Sequence, residues 1–180
     1  MENIGRLLTA MVTPFDDNGA VDYEQARKLA LALIDSGSEG LVVVGTTGES
    51  PTLTLDEELR LFSEVKSAVG SRGAVVAGTG SNSTAEAVHT TKEAEKIGVD
   101  ACLLVVPYYN KPTQEGLFQH FKTIAESTSL PCIVYNVPSR TVTSLSVETI
   151  VRLSQIDNII GVKEASGNMD QVSHTISNAR

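Results

Sequence analysis

The sequence predicts an α/β fold made of βα repeats around a parallel sheet, and three observations carry the prediction. Six short apolar runs rich in β-branched residues alternate with longer stretches of helical periodicity, as βα units require. The runs are close to continuously hydrophobic, the pattern of strands covered on both faces. Their starts recur at roughly thirty residues, the spacing of a (β/α)8 barrel of about 250 residues. Over 180 residues this gives a TIM-barrel chain with about six βα units. The expected organisation is one continuous domain, residues 1–180, stopping before strands seven and eight.

Strands are expected over Leu7 to Thr13, Gly40 to Val44, Ala74 to Ala77, Ala101 to Val106, Cys132 to Tyr135 and Ile159 to Lys163. Asp22 offers an N-cap oxygen to a helix from Tyr23 to Ser36. Thr54 with Glu57, and Ser83 with Glu86, have capping-box spacing and open helices from Leu55 to Val69 and from Thr84 to Ile97. Gly37, Gly70 and Gly98 follow these helices, where a left-handed residue ends a helix easily. Further helices are expected from Gln114 to Ser127, from Val147 to Ser154, and from Met169 onward. The last segment, Asp170 to Arg180, stops within helical periodicity.

Composition excludes several classes of function. The net charge is -8 and the 14 basic residues are scattered, so no phosphate-backbone footprint exists and nucleic acid is not expected as a partner. No apolar run is long enough to span a bilayer, and the N-terminus lacks the layout of an export signal. A cytoplasmic protein without membrane partners is expected. Cys102 and Cys132 lie in apolar runs and fit buried thiols. His89, His120 and His174 show no ligand spacing, so no metal site is expected.

The chemistry concentrates after the expected strands, where barrel enzymes place reactive groups. Lys163 ends an apolar strand, and an amine desolvated there loses charge and can attack a ketone to form a Schiff base. Gly45-Thr46-Thr47-Gly48-Glu49-Ser50 brings backbone N–H groups and two hydroxyls close to an anion such as a carboxylate. Pro107-Tyr108-Tyr109-Asn110-Lys111-Pro112 carries paired phenols. Tyr135-Asn136-Val137-Pro138-Ser139-Arg140-Thr141 adds another phenol and a guanidinium suited to carboxylates. Gly78-Thr79-Gly80 suggests a dinucleotide loop, but Ser83 replaces the third glycine and Asp100 precedes the next strand instead of following it.

Together these motifs closely resemble the dihydrodipicolinate synthase family of class I pyruvate-dependent aldolases. N-acetylneuraminate lyase and the sugar-acid aldolases share the lysine and tyrosine and differ around Arg140. The resemblance implies that Lys163 condenses with pyruvate and that the enamine adds to aspartate 4-semialdehyde, the first committed step of lysine and diaminopimelate biosynthesis. It implies Tyr135 as general acid/base, and Thr46 as its hydrogen-bonded link to Tyr109 from a neighbouring subunit. Thr47 would hold the pyruvate carboxylate and Arg140 the second substrate. No cofactor is implied, because the cationic imine is the electron sink. A homo-oligomer, a tetramer in the family, is expected. Asn82, Glu86 and Tyr108 match a lysine-inhibitor pattern, but Leu55 and Glu58 stand where histidines are common, so weak lysine feedback is expected. The alternatives are a truncated, catalytically silent remnant or interaction piece, or a related pyruvate aldolase such as N-acetylneuraminate lyase.

Overall fold

The structure, a computed structural model, describes residues 4–180. Along the chain run β1 (Leu8–Ala10), α1 (Tyr23–Asp35), β2 (Gly40–Val43), α2 (Leu55–Val69), β3 (Ala74–Gly78), α3 (Thr84–Ile97) and β4 (Ala101–Val105). Next come α4 (Gln114–Ala125), β5 (Cys132–Asn136), α5 (Pro138–Thr141), α6 (Val147–Leu153), β6 (Ile159–Glu164) and α7 (Met169–Asn178). Strand and helix alternate as predicted, with α5 the unforeseen addition. The chain forms two compact units, one running to Gly78 with Glu93–Cys102, the other holding Thr79–Lys92 and Leu103–Arg180.

In the first unit β1 pairs with β2 and β2 with β3, both parallel. All four residues of β2 are buried. Small Ala26 and Ala30 with Ile34 form the buried stripe of α1, and Leu61, Phe62, Val65 and Val69 form that of α2, the spacing of one helix face. The Asp22 side chain accepts from Gln25 N–H and caps α1. Thr54 and Glu57 form the expected reciprocal capping box, worth about 1 kcal/mol to the helix start. Lys66 on α2 grips Asp100 at 2.6 Å, and the same carboxylate accepts the Val75 N–H at 2.7 Å, tying α2 to β3. β1 is shorter than expected. After one more strand-like bond, Met11 N–H to Val42 C=O, the ladder ends, and Pro14 shortly beyond has no N–H with which to resume it.

In the second unit β5 and β6 pair in parallel. Leu117, Phe121 and Ile124 of α4 are fully buried, and nearly so are Leu145 just before α6 and Leu153 within it. Asn158 ties down the approach to β5, its amide donating to the carbonyls of Ala125, Thr128 and Leu130. His120 is a buried packing residue whose Nδ1 lies 2.8 Å from Thr84 Oγ1. Burial pushes its pKa down to about 4, so it is neutral at pH 7.

The Ser83 cap differs from the expected box. Glu86 N–H does reach Ser83 Oγ, at 3.4 Å, but the Glu86 carboxylate takes the Ser81 hydroxyl at 2.9 Å. Ser83 N–H goes to Ser81 Oγ. A serine two residues upstream competes successfully for both partners. Full burial on both faces holds for β2 but not for β1 or β6, whose residues are half-buried or exposed. Among the described residues no helix is long and apolar enough to cross a membrane.

Candidate active site

The geometry of the second unit turns on one register shift. Cys132 pairs with Ile159, but Ile133 pairs with Gly161, so Ile160 is extra and bulges out of the ladder. Without the bulge Lys163 would face Asn136. With it, Lys163 stands opposite Tyr135, and partners in a parallel pair project from the same sheet face. The Lys163 Nζ accordingly lies 4.2 Å from the centroid of the Tyr135 ring. Tyr135 is 7% exposed. Lys163 is exposed, not enclosed in the dry pocket that its chemistry suggested. Its partial burial still lowers the pKa of the amine below that of a free lysine, although the ring face beneath it favours the cation.

One residue further on, the opposite face carries the brace. Asn136 is fully buried and its amide donates to the Glu164 carboxylate at 2.9 Å. Its carbonyl accepts the Leu145 N–H at 3.0 Å. Glu164 also accepts the Ser166 N–H at 2.7 Å and the Gln171 amide at 3.3 Å. The loop after β5, the end of β6 and α7 therefore meet on one carboxylate and one amide, directly behind Tyr135 and Lys163. Asn136→Ala strands a buried N–H and a carboxylate. It is expected to cost about 2 kcal/mol, read as a lower urea midpoint at unchanged slope; an unchanged midpoint would deny the brace its role.

Arg140 lies on α5, a single turn where an open loop was expected. Pro138 starts it at a position that needs no N–H, and the Thr141 hydroxyl donates to the carbonyls of Val137 and Thr143. Val142 ends it in the left-handed region with φ 63°. Arg140 is exposed. Tyr109 is 89% exposed and itself left-handed, φ 73°. Its turn is stiffened by Asn110 N–H to Tyr108 C=O, by the Asn82 amide to that same carbonyl, and by the Asn110 amide to Asn82 C=O. A bulky aromatic is thus held out in water on a left-handed backbone, an arrangement uncommon for such a residue.

In the first unit, residues 46–48 form a one-turn 3-10 helix whose carbonyl at Gly48 receives the Thr13 hydroxyl at 2.6 Å. Val44 before it and Glu49 after it are both left-handed, with φ 57° and 58°. Thr46 and Thr47 are exposed. The first N–H groups of such a turn have no intrahelical acceptor and are open to water or a ligand. Beyond the turn, burial pushes the Glu58 pKa up to about 7 against the Ser50 hydroxyl that pulls it down. The unfolded chain then ionises Glu58 first, so stability falls as pH rises from about 4.5 to 7. Glu58→Gln is expected to stabilise by on the order of 1–3 kcal/mol above pH 7 and to match the parent below pH 4.5; thermal melts at pH 4 and pH 8 check this, and an equal gain at both would refute it.

The sequence profile of the dihydrodipicolinate synthetase family matches residues 3–180. The chain belongs to this family. It is 71% identical over 180 residues to the 4-hydroxy-tetrahydrodipicolinate synthase of Dehalococcoides mccartyi, covering all of this chain and 61% of that protein. The crystal structure of a dihydrodipicolinate synthase from Bacillus anthracis shares 52% identity with a TM-score of 0.98, covering 100% of this chain and 62% of that one. That of the chloride-inhibited enzyme from Acinetobacter baumannii, complexed with pyruvate, shares 47% identity with a TM-score of 0.95 over 97% of this chain and 60% of that one. The chain thus spans about three-fifths of the length of these relatives, and its six strands with their alternating helices belong to the TIM-barrel fold of the family.

For this member of the dihydrodipicolinate synthetase family, the expected residues divide by compact unit. Lys163 and Tyr135 meet face to face, while Arg140 and Tyr109 stand exposed on strand-end turns of the same unit. Thr46 and Thr47 belong to the turn of the first unit. Asn136, Glu164, Gln171 and Thr13 had no role assigned from the sequence. Period-2 alternation was the available signal for two of them, since the polar residue after Tyr135 and the one after Lys163 must both face away from the amine.

Proposed function

We propose that this chain carries the catalytic groups of a 4-hydroxy-tetrahydrodipicolinate synthase, an aldolase-type lyase that joins pyruvate to aspartate 4-semialdehyde in the cytoplasm, at an early step of lysine and diaminopimelate biosynthesis. Residues 1–180 are read as a single catalytic barrel domain that works as a homo-oligomer. The observation that carries this reading is the lowered-pKa amine of Lys163 resting 4.2 Å above the Tyr135 ring.

Neutral Nζ adds to C2 of pyruvate, the carbinolamine loses water, and the resulting iminium draws electrons from C3. Loss of a C3 proton gives the enamine, whose C3 bonds to the aldehyde carbon of the acceptor. Ring closure by the acceptor's amine then expels Lys163. Tyr135 is assigned the proton transfers at the carbinolamine oxygen. Thr46 is assigned the hydrogen-bonded link from Tyr135 to Tyr109 of a neighbouring copy. Thr47 and the N–H groups of its turn take the pyruvate carboxylate, and Arg140 the carboxylate of the aldehyde. No metal or cofactor has a part in this scheme, because the iminium itself is the electron sink.

The identity to proteins named for this activity supports the reading, as does the relative solved with pyruvate. The test is borohydride reduction in the presence of pyruvate, followed by peptide mass spectrometry. A stable adduct on the peptide bearing Lys163 is expected; an adduct confined to another lysine would overturn the assignment.

A further inference from the structure

We infer that Gly78 is a positioning residue for the Thr46-Thr47 turn, acting through the left-handed peptide at Val44. This rests on the reading of that turn as the pyruvate carboxylate site. The ladder between β2 and β3 runs as far as Val43 opposite Ala77, so Val44 would next stand opposite Gly78. Instead Val44 turns left-handed, φ 57°, a conformation that β-branched residues rarely adopt. It does so while 2% exposed, where its side chain gains nothing from solvent.

The turn swings the Val44 carbonyl into the place where a side chain at position 78 would stand. A Cβ built on Gly78 falls 2.2 Å from Val44 O, 2.8 Å from Val44 C and 3.1 Å from Gly45 N. All three neighbours are backbone, which cannot rotate aside as a side-chain tip can. The other end of the turn is fixed by the Thr13 hydroxyl on Gly48 C=O. Gly78 therefore seats the entry to the turn and Thr13 its exit. This also explains the first glycine of Gly78-Thr79-Gly80: it accommodates a neighbouring peptide, where the first glycine of a dinucleotide loop would serve a tight turn.

In Gly78→Ala the peptide must retreat from 2.2 Å to beyond 3.0 Å, carrying Thr46 and Thr47 by about 1 Å, a displacement that costs up to about a hundredfold in a binding or catalytic geometry. Two measurements test this. A crystal structure of Gly78→Ala is expected to show Thr46 and Thr47 displaced against an unmoved β3. The pyruvate concentration giving half-maximal borohydride-trapped adduct is expected to rise at least about tenfold, with the folded fraction by circular dichroism unchanged. A structural role alone would lower the melting temperature and leave that concentration where it was. If the single variant does not fold, the double variant Val44→Gly/Gly78→Ala frees the peptide to swing off the new methyl, and it is expected to fold with the turn displaced and pyruvate weakened alike. An undisplaced turn, or an unchanged pyruvate dependence in a folded variant, overturns the inference. A parent protein that forms no adduct would defeat the carboxylate reading instead, while the crystal structure still decides whether Gly78 seats the turn.

Discussion

Lys163→Arg is expected to abolish the pyruvate adduct and to lower turnover by at least about 10²-fold, the smallest typical enzymatic gain of about 10⁶ less the roughly 10⁴ that binding and the remaining groups retain when a nucleophile is removed. The substitution is informative because it keeps nearly everything but the lone pair. A guanidinium retains the positive charge and the contact with the Tyr135 ring, yet it stays protonated at any pH the protein survives, so it cannot add to a carbonyl. Lys163 is exposed, and stability is therefore expected to change by no more than about 0.5 kcal/mol. Loss of activity together with loss of fold would point to a structural lysine instead. Retained turnover, measured by coupled consumption of pyruvate, would remove Lys163 from the mechanism.

Tyr135→Phe is the second large effect. The ring that supports Nζ at 4.2 Å survives, as does its 93% burial by neighbouring groups, the residue being 7% exposed. Only the hydroxyl goes. On the proposed role of Tyr135 as proton carrier the loss costs about 10² to 10⁴ in kcat, and the pyruvate KM is expected to change by less than about threefold, since the ring contact is common to ground state and transition state. The adduct still forms, but slowly, and stopped borohydride time courses would separate its rate from its final extent. A KM effect without a kcat effect would make Tyr135 a wall of the site and leave the proton transfers to another group.

Much of this architecture was legible in the sequence because its signals are local. The Thr54 and Glu57 box placed α2 to the residue, and Gly37, Gly70 and Gly98 do take positive φ where their helices end. Lys163 stood out as a lone cation at the end of an apolar run. What the sequence hid depends on relations between segments. The Tyr135 and Lys163 partnership requires Ile160 to bulge, and nothing in an unbroken Ile-Ile-Gly-Val run marks which residue will be extra. Val44, Tyr109 and Val142 adopt left-handed backbone without being glycine or asparagine, so their turns carry no compositional sign. The Ser83 box failed for a related reason, because Ser81 two residues earlier offered better geometry to the same groups.

The most direct test is a crystal soaked in pyruvate. Unbroken electron density from Lys163 Nζ to C2 of the keto acid is the predicted result. Pyruvate bound with its carbonyl carbon clear of that nitrogen, or bonded to a different side chain, would contradict the mechanism.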